Sequence, residues 1–231
     1  MILKTKLFGH TYEFKSLREV MAKANEEKSG DKLAGIAAED AQERVAAKVV
    51  LSHITLNEIR NCPAVPYEED EVTRIIQDAV NETIFSQFKN MTVAEFREWL
   101  LDEKTDGAMI RRASRGLTSE IVAAVCKLMS NLDLIYAAKK MRVSAHCNPT
   151  IGLPGTFSSR LQPNHTTDDP KGIIASVMEG LSLGCGDAVI GLNPVDDSLE
   201  SVARILKMFD EFKEKWEIPT QICVLAHVTT Q

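Results

Sequence analysis

Apolar residues in roughly the first 140 positions recur at helical spacing, and residues that start or stop helices divide them into segments. Four segments begin with a Ser, Thr or Asp that stands three positions before Glu: Ser16, Asp40, Thr55 and Thr92. Gly30 stands where the first helix would stop, and Pro63 and Pro66 break a later one. Residues 117–141 give one long helix or two abutting helices. This pattern predicts a mainly helical N-terminal region over residues 1–147.

The pattern changes after residue 148, where short apolar runs alternate with amphipathic segments. Three strands and two helices are predicted in alternation: 156–161, 169–183, 187–193, 198–216 and 221–228. Strands that are almost continuously apolar indicate an α/β fold with a parallel sheet covered on both faces. An open doubly wound sheet and a closed (β/α)8 barrel both fit. No helix start carries a glycine-rich phosphate motif, which favours the TIM-type barrel.

The predicted strands are too few for a complete barrel, which needs about 250 residues for its eight units. A sheet that ended with residues 221–228 would also expose a flat apolar edge. We therefore expect residues 148–231 to form the first three β/α units of an incomplete barrel. The chain is then the N-terminal portion of a longer protein.

Composition and charge narrow the class of protein. The chain is 44% hydrophobic and 26% charged, as in ordinary globular proteins, and no run approaches the ~20 apolar residues of a membrane span. Its net charge of −6, without a basic stripe, argues against nucleic acid as a partner. The five cysteines lack metal-ligand spacing, so we expect reduced, buried thiols and no metal site. The N-terminus lacks a signal-peptide layout, which makes a cytoplasmic location the default.

Polar residues at the predicted strand ends are the candidate site. Arg160 and Gln162 end the first strand, and Asn193 ends the second, where α/β sheets and barrels bind ligands. Arg160 and Gln162 are two positions apart and point to one side of an extended strand, with Asn193 one strand spacing away. Arginine only donates and so selects a ligand oxygen, whereas the two amides accept a hydroxyl or an amine. A small amino alcohol or hydroxy compound fits this set, and no catalytic acid or base is assigned.

Each of these positions also has a structural interpretation. Arg160 can be a solvated surface residue, and Asn193 followed by Pro194 is a common turn. The aspartate pairs at 168–169 and 196–197 are interpreted as helix caps rather than catalytic dyads. The end of the third predicted strand adds polar residues without an assigned role: His227, Thr229 and Gln231.

Long runs around the strand ends resemble the large subunit of ethanolamine ammonia-lyase: TIGLPGTFSSRLQPN at 150–164, GDAVIGLNP at 186–194 and PTQICVLAHVTTQ at 219–231. Runs in the helical region resemble it too: QERVAAK at 42–48, QDAVNET at 77–83 and GLTSE at 116–120. The similarity spans essentially the whole chain. It implies an adenosylcobalamin-dependent lyase that converts ethanolamine to acetaldehyde and ammonia by a radical mechanism. It also implies a (β/α)8 barrel with an N-terminal helical extension.

The resemblance implies roles and partners as well. Arg160, Gln162 and Asn193 would contact ethanolamine, and Pro194 would lie against the cobalamin. The partners would be a small subunit and other copies of the large subunit, with no membrane or nucleic acid. Whether a bacterial microcompartment encloses the complex stays open.

Two departures from the family are visible in the sequence. The family's acidic substrate contacts lie beyond Gln231, so this chain alone is expected to be inactive. His165 stands where the family has an acidic residue, which we interpret as a neutral surface change. The stretch also lacks the D-x-H-x-x-G cobalamin motif, consistent with a family that keeps the cofactor's own base on the metal.

Two other functions remain open. Another barrel lyase or an aldolase would need a Schiff-base lysine or a metal set at a strand end, and no lysine occupies one. A non-catalytic scaffold would use the helical region for assembly.

Overall fold

The computed structural model describes residues 2–227, and the chain forms two compact units, residues 1–142 and residues 143–231. All of the candidate site residues belong to the second unit. Within the described residues, no helix has the length and apolar character needed to cross a membrane.

The first unit begins with a β-hairpin that the helical pattern did not predict. Strand β1 (Lys4–Leu7) pairs antiparallel with β2 (His10–Glu13). The turn residues Phe8 and Gly9 have φ of 53° and 82°, the left-handed conformations of a type I′ turn. Asn or Asp is the usual residue at the first of these positions, and Phe is not, so the residue types did not predict a turn at Phe8.

Ten helices follow in the described part of the first unit: α1 (Leu17–Lys23), α2 (Ser29–Leu33), α3 (Ala41–Ser52), α4 (Leu56–Arg60), α5 (Glu71–Asp78), α6 (Glu82–Phe88), α7 (Val93–Leu101), α8 (Gly107–Ser114), α9 (Ser119–Lys127) and α10 (Asn131–Lys140). All four predicted caps accept a backbone hydrogen bond and are confirmed: Ser16, Asp40, Thr55 and Thr92. Gly30 lies inside α2, so its prediction as a helix end was wrong. Residues 117–141 form two helices because Ser130 and Asp133 build a capping box that starts α10.

The helices of the first unit surround one apolar core. Its fully buried members come from helices throughout the unit: Val20, Leu51, Leu56, Ile59, Val93 and Ile121. Phe88, Phe96 and Trp99 extend it with ring centroids 5.1–5.5 Å apart. Across the whole chain all five thiols are free, but four of them are exposed, so the prediction of buried cysteines was wrong.

The second unit contains a short antiparallel pair, two helices and a parallel sheet: β3 (Ala145–His146), β4 (Thr150–Ile151), β5 (Arg160–Leu161), α11 (Pro170–Ser182), β6 (Val189–Leu192), α12 (Leu199–Lys215) and β7 (Gln221–Val224). The sheet has the order β5-β6-β7, and both pairings are parallel. The predicted alternation and the parallel α/β sheet are therefore confirmed. The strand predicted at 156–161 is reduced to two residues. The third strand ends at Val224, so the prediction was wrong for residues 225–227, and residue 228 lies outside the described residues.

Both helices of the second unit pack on the same face of the sheet. Alternate residues of the strands, among them Ile190 and Leu192, share one buried cluster with Ile173 of α11 and Ile205 of α12. The other face carries side chains of the opposite alternation, with no helix of residues 143–227 packed on it. The described residues therefore cover one face of the sheet, and cover on the second face stays a prediction. Three strands form no closed barrel among these residues, and the barrel stays a prediction.

Candidate functional site

The carboxyl ends of β5, β6 and β7 lie at one edge of the sheet because the three strands are parallel. The residues that follow the strands there are Gln162, Asn193 and Leu225. Ligands of parallel α/β sheets bind at this edge. The structure thus brings the candidate residues of the first two strands to the same edge.

The side chain of Arg160 crosses from β5 to lie over β6, on the face without helices. A Cβ added to Gly191 would stand 2.7 Å from Arg160 Nη2, 3.0 Å from its Cζ and 2.7 Å from Cys223 Sγ. Only glycine leaves this space, so the guanidinium rests directly against the strand backbone. Within residues 2–227 Arg160 forms no side-chain hydrogen bond or ion pair, and its five N–H donors are open to a ligand oxygen.

Gln162 and Asn193 are exposed, and their side-chain amides also form no hydrogen bond within the described range. Pro194 is half-buried, and the next residue, Val195, is 67% exposed. The edge therefore combines one cation, two neutral amides and a small apolar surface. These are groups that can hold a polar small molecule beside an apolar one.

Side chains of the β5–α11 loop hold the loop that follows β6. The carboxylate of Asp168 accepts from the N–H groups of Val195 and Asp196 at 2.8 Å and 2.9 Å. The side-chain oxygen of Asn164 accepts from the N–H of Asn193 at 2.9 Å. The position of Asn193 is therefore fixed by its neighbour strand's loop.

The other aspartates at this edge are engaged in local structure. Asp169 caps α11, as predicted. Ser198, the predicted start of the helix at 198–216, caps α12 as expected, whereas Asp196 and Asp197 are not the cap. The N–H and hydroxyl of Ser198 hold the pKa of the Asp196 carboxyl below its ordinary value, and Asp197 accepts from the N–H of His227 at 3.4 Å. Thr229 and Gln231, named with His227 in the sequence, lie outside the described residues.

A polar network at the opposite edge sets the strand register. The carboxylate of Asp187 accepts from the N–H and hydroxyl of Ser159 at 2.7 Å and 2.8 Å, and these bonds hold its pKa below the ordinary value. The hydroxyl of Thr220 donates to the carbonyl of Gly186 at 2.7 Å, and the Asn148 amide donates to the carbonyl of Thr220 at 2.6 Å. These bonds tie the starts of all three strands together.

Two residues of the site escaped the sequence analysis. Gly191 interrupts an apolar strand, a pattern that often marks a close backbone approach and that was available in the sequence. Asp168 was assigned to a helix cap because it adjoins a true cap. Its partners are 27 and 28 positions away, where periodicity carries no signal. No group of three or more His, Cys, Asp or Glu side chains among residues 2–227 is arranged to hold a metal ion.

A parallel β/α sheet places the second unit in the α/β class of proteins, and among the described residues its carboxyl edge carries an unpaired cation and two amides. The family model described as ethanolamine ammonia lyase large subunit (EutB) matches residues 12–231. The ethanolamine ammonia-lyase large subunits of Escherichia coli (strain K12) and Salmonella typhimurium (strain LT2) are each 58% identical over 231 residues, 100% of this chain and 51% of theirs. The chain belongs to the ethanolamine ammonia-lyase large-subunit family, as its resemblance indicated, and spans about half the length of the curated relatives it matches.

Proposed function

We propose that the chain is the N-terminal part of the large subunit of an adenosylcobalamin-dependent ethanolamine ammonia-lyase, which converts ethanolamine to acetaldehyde and ammonia. The whole enzyme would combine this subunit with a small subunit and further copies of the large subunit, in the cytoplasm or within a microcompartment. The observation that carries the proposal is the Arg160 guanidinium, which lies over Gly191 at the same edge as the two amides and has no hydrogen-bond or ion-pair partner among the described residues. All of these residues lie within the range that the family model matches.

The fold proposed for the complete subunit is a (β/α)8 barrel. The strands stand in chain order, and both crossover helices pack on one face. In an open doubly wound sheet the order reverses and the helices divide between two faces. One-sided helices and sequential strands are what the first units of a barrel provide, and the face of Arg160 and Gly191 would then line its interior.

The edge is suited to the oxygen of an amino alcohol more than to its ammonium. Arg160 would donate to the hydroxyl oxygen, and the carbonyl oxygens of Gln162 and Asn193 would accept from the ammonium. Every carboxylate of the strand-end loops accepts backbone or hydroxyl hydrogen bonds instead, those of Asp168 and Asp196 among them. We therefore propose that the anionic partner of the ammonium comes from another part of the longer subunit, and that this chain alone is inactive.

The loop after β6 fits the face of a corrin ring. The backbone N–H groups of residues 193, 195 and 196 already donate to side chains, so they need no hydrogen bond from a ligand. Pro194 and the largely exposed Val195 present apolar surface there. A broad apolar ring is the kind of group such a surface accepts, and Pro194 would lie against it.

The protein residues orient the substrate while the cofactor, when bound, supplies the radical chemistry. A guanidinium on the oxygen and amides on the nitrogen fix both ends of a two-carbon molecule, so one carbon faces the cofactor. Because Arg160 rests on Gly191, its donors are placed before substrate arrives, which lowers the cost of ordering them.

The proposal is tested with the full-length large subunit assembled with its small subunit. Wild-type enzyme is expected to release acetaldehyde from ethanolamine only when adenosylcobalamin is added. Arg160→Ala should lower kcat/KM about 10- to 100-fold, since a charged hydrogen bond contributes about 1.5–3 kcal/mol. Arg204→Ala, at an exposed position of α12, is the matched control and should behave as wild type.

Acetaldehyde release without the cofactor would refute the proposal and favour another lyase or aldolase. Full activity of Arg160→Ala would remove this residue from the site. If the assembled protein binds neither ethanolamine nor a corrin in calorimetry, the scaffold function is the one supported.

A further inference from the structure

Asp168 is a buried acid in the loop between β5 and α11. Only 3% of its surface is exposed, and its φ of 51° is left-handed, a conformation that Asp and Asn tolerate better than most residues. Its N–H donates to the carbonyl of His165 at 3.4 Å. Nδ1 of His165 accepts from the N–H groups of Thr167 and Asp169 at 3.3 Å and 3.4 Å. His165 therefore contributes hydrogen bonds to this loop, and the effect of its exchange for an acidic residue stays a prediction.

The Asp168 carboxylate and the side chain of Asn164 accept from every backbone N–H of residues 193–196, the first four residues after β6. Asp168 accepts from Val195 at 2.8 Å and 3.1 Å, one distance for each oxygen, and from Asp196 at 2.9 Å. Asn164 accepts from Asn193 at 2.9 Å. The remaining residue of the stretch is a proline, which has no N–H. The first four residues of the loop after β6 are thus bound by side chains of the loop after β5.

We propose that Asp168 is a positioning residue that holds Asn193 and Pro194 at the carboxyl edge of the sheet, beside Arg160. The proposal rests on the proposed function, because Asn193 and Pro194 are there the contacts of ethanolamine and cobalamin. Asp168 bonds to Val195 and Asp196, the two residues after Pro194, and so acts on Asn193 and Pro194 only through the backbone of this loop.

The position requires an ionised carboxylate rather than an amide. Ionised Asp only accepts hydrogen bonds, whereas Asn would turn its own N–H donors toward at least one of the loop amides. A buried charge is tolerated only when it is hydrogen-bonded, and the two consecutive N–H groups of Val195 and Asp196 meet that need. Since Asn has the size of Asp and tolerates the same backbone, Asp168→Asn keeps the shape of the side chain while it removes the charge and exchanges one acceptor oxygen for a donor.

The experiment compares Asp168→Asn with Asp169→Asn in the full-length large subunit assembled with its small subunit. Asp169 is a helix cap, and Asn caps as well as Asp, so Asp169→Asn is the matched control. We expect Asp168→Asn to raise KM for ethanolamine at least about tenfold and to weaken cyanocobalamin binding in equilibrium dialysis to a similar extent. Hydrogen exchange in the peptide of residues 193–198 should accelerate about tenfold or more. The melting temperature should stay within about 5 °C of wild type.

The outcomes separate this proposal from the proposed function. Unchanged exchange at residues 193–198 would overturn the role of Asp168 in holding the loop. Faster exchange with unchanged KM and cyanocobalamin affinity would overturn its role in positioning the site. A wild-type enzyme without ethanolamine turnover or corrin binding refutes the proposed function, and faster exchange in that protein would still support the contact of Asp168 with the loop.

Discussion

Replacing Gly191 with alanine tests the placement of Arg160 without removing the arginine. The added Cβ would stand 2.7 Å from Arg160 Nη2 and 2.7 Å from Cys223 Sγ. Heavy atoms in ordinary contact stay about 3.5 Å apart, so one or both neighbours must retreat by about 0.8 Å. The guanidinium ends a long flexible side chain, whereas the cysteine sulfur turns about a single bond. We therefore expect the guanidinium to move first.

This displacement should damage the site more than the fold. The φ of Gly191 is not left-handed, so alanine can adopt the strand backbone. The overpacking cost should fall at the low end of about 1–3 kcal/mol because a flexible side chain yields. A misplacement of about 1 Å can lower a rate about 100-fold. We expect kcat/KM for ethanolamine to fall about 10- to 100-fold while the melting temperature drops by only a few degrees.

The assay is acetaldehyde release by the assembled enzyme, with thermal unfolding followed in parallel. If the Cβ acts by displacing the arginine, Gly191→Ala should have little further effect in an Arg160→Ala background, because contacting residues are not additive. Full activity of the single Gly191→Ala variant would refute the placement of Arg160 over β6. Equal losses in both backgrounds would show that the alanine acts by another route.

Asp187 should make the second unit sensitive to acid, because its bonds to the N–H and hydroxyl of Ser159 lower its pKa. Such a group stabilises the fold fully above its unfolded pKa of about 4, and the stabilisation is lost as the pH falls through the folded-state pKa. Asp187→Asn should therefore flatten the stability profile between about pH 5 and pH 3 in urea unfolding, and an unchanged profile would contradict the contact. Gly107→Ala should destabilise the first unit by about 1–3 kcal/mol because its Cβ would overlap the carbonyl oxygen of Lys140. Gly30→Ala, which has open space in α2, should be neutral or stabilising by up to about 1 kcal/mol, so equal melting shifts for the two variants would refute the reasoning.

Features that depend on neighbours in sequence were predictable. A helix cap needs only a short polar side chain and the N–H three residues on, and Asp40 and Thr92 cap as predicted. The alternation of apolar strands with amphipathic helices likewise indicated the parallel sheet. The hairpin at the N-terminus was not predicted, because Phe8 adopts a left-handed conformation that is unusual for its residue type.

Features that depend on strand register were not predictable from spacing alone. Arg160 pairs in register with Val189, which places its guanidinium over Gly191, two residues further along the neighbouring strand. The register follows from bonds at the starts of the strands, such as that between Ser159 and Asp187, which are 28 positions apart. Residue types therefore identified the candidate side chains, but their contacts needed the assembled sheet.

The aspartates at this edge accept hydrogen bonds within the loops, and this determines which groups the edge can offer to a ligand. Asp168 accepts from backbone N–H groups, and Asp196 accepts from the N–H and hydroxyl of Ser198. Asp197 accepts from the N–H of His227 in the loop after β7. Hydrogen bonds thus connect each loop to the next. The carboxylates that form them, among the described residues of this edge, are not free to bind a ligand. What it offers outward is the cation of Arg160 and neutral amides. Under the proposed function, this edge would orient the oxygen end of the amino alcohol, and the charge that selects the ammonium would come from another part of the longer subunit.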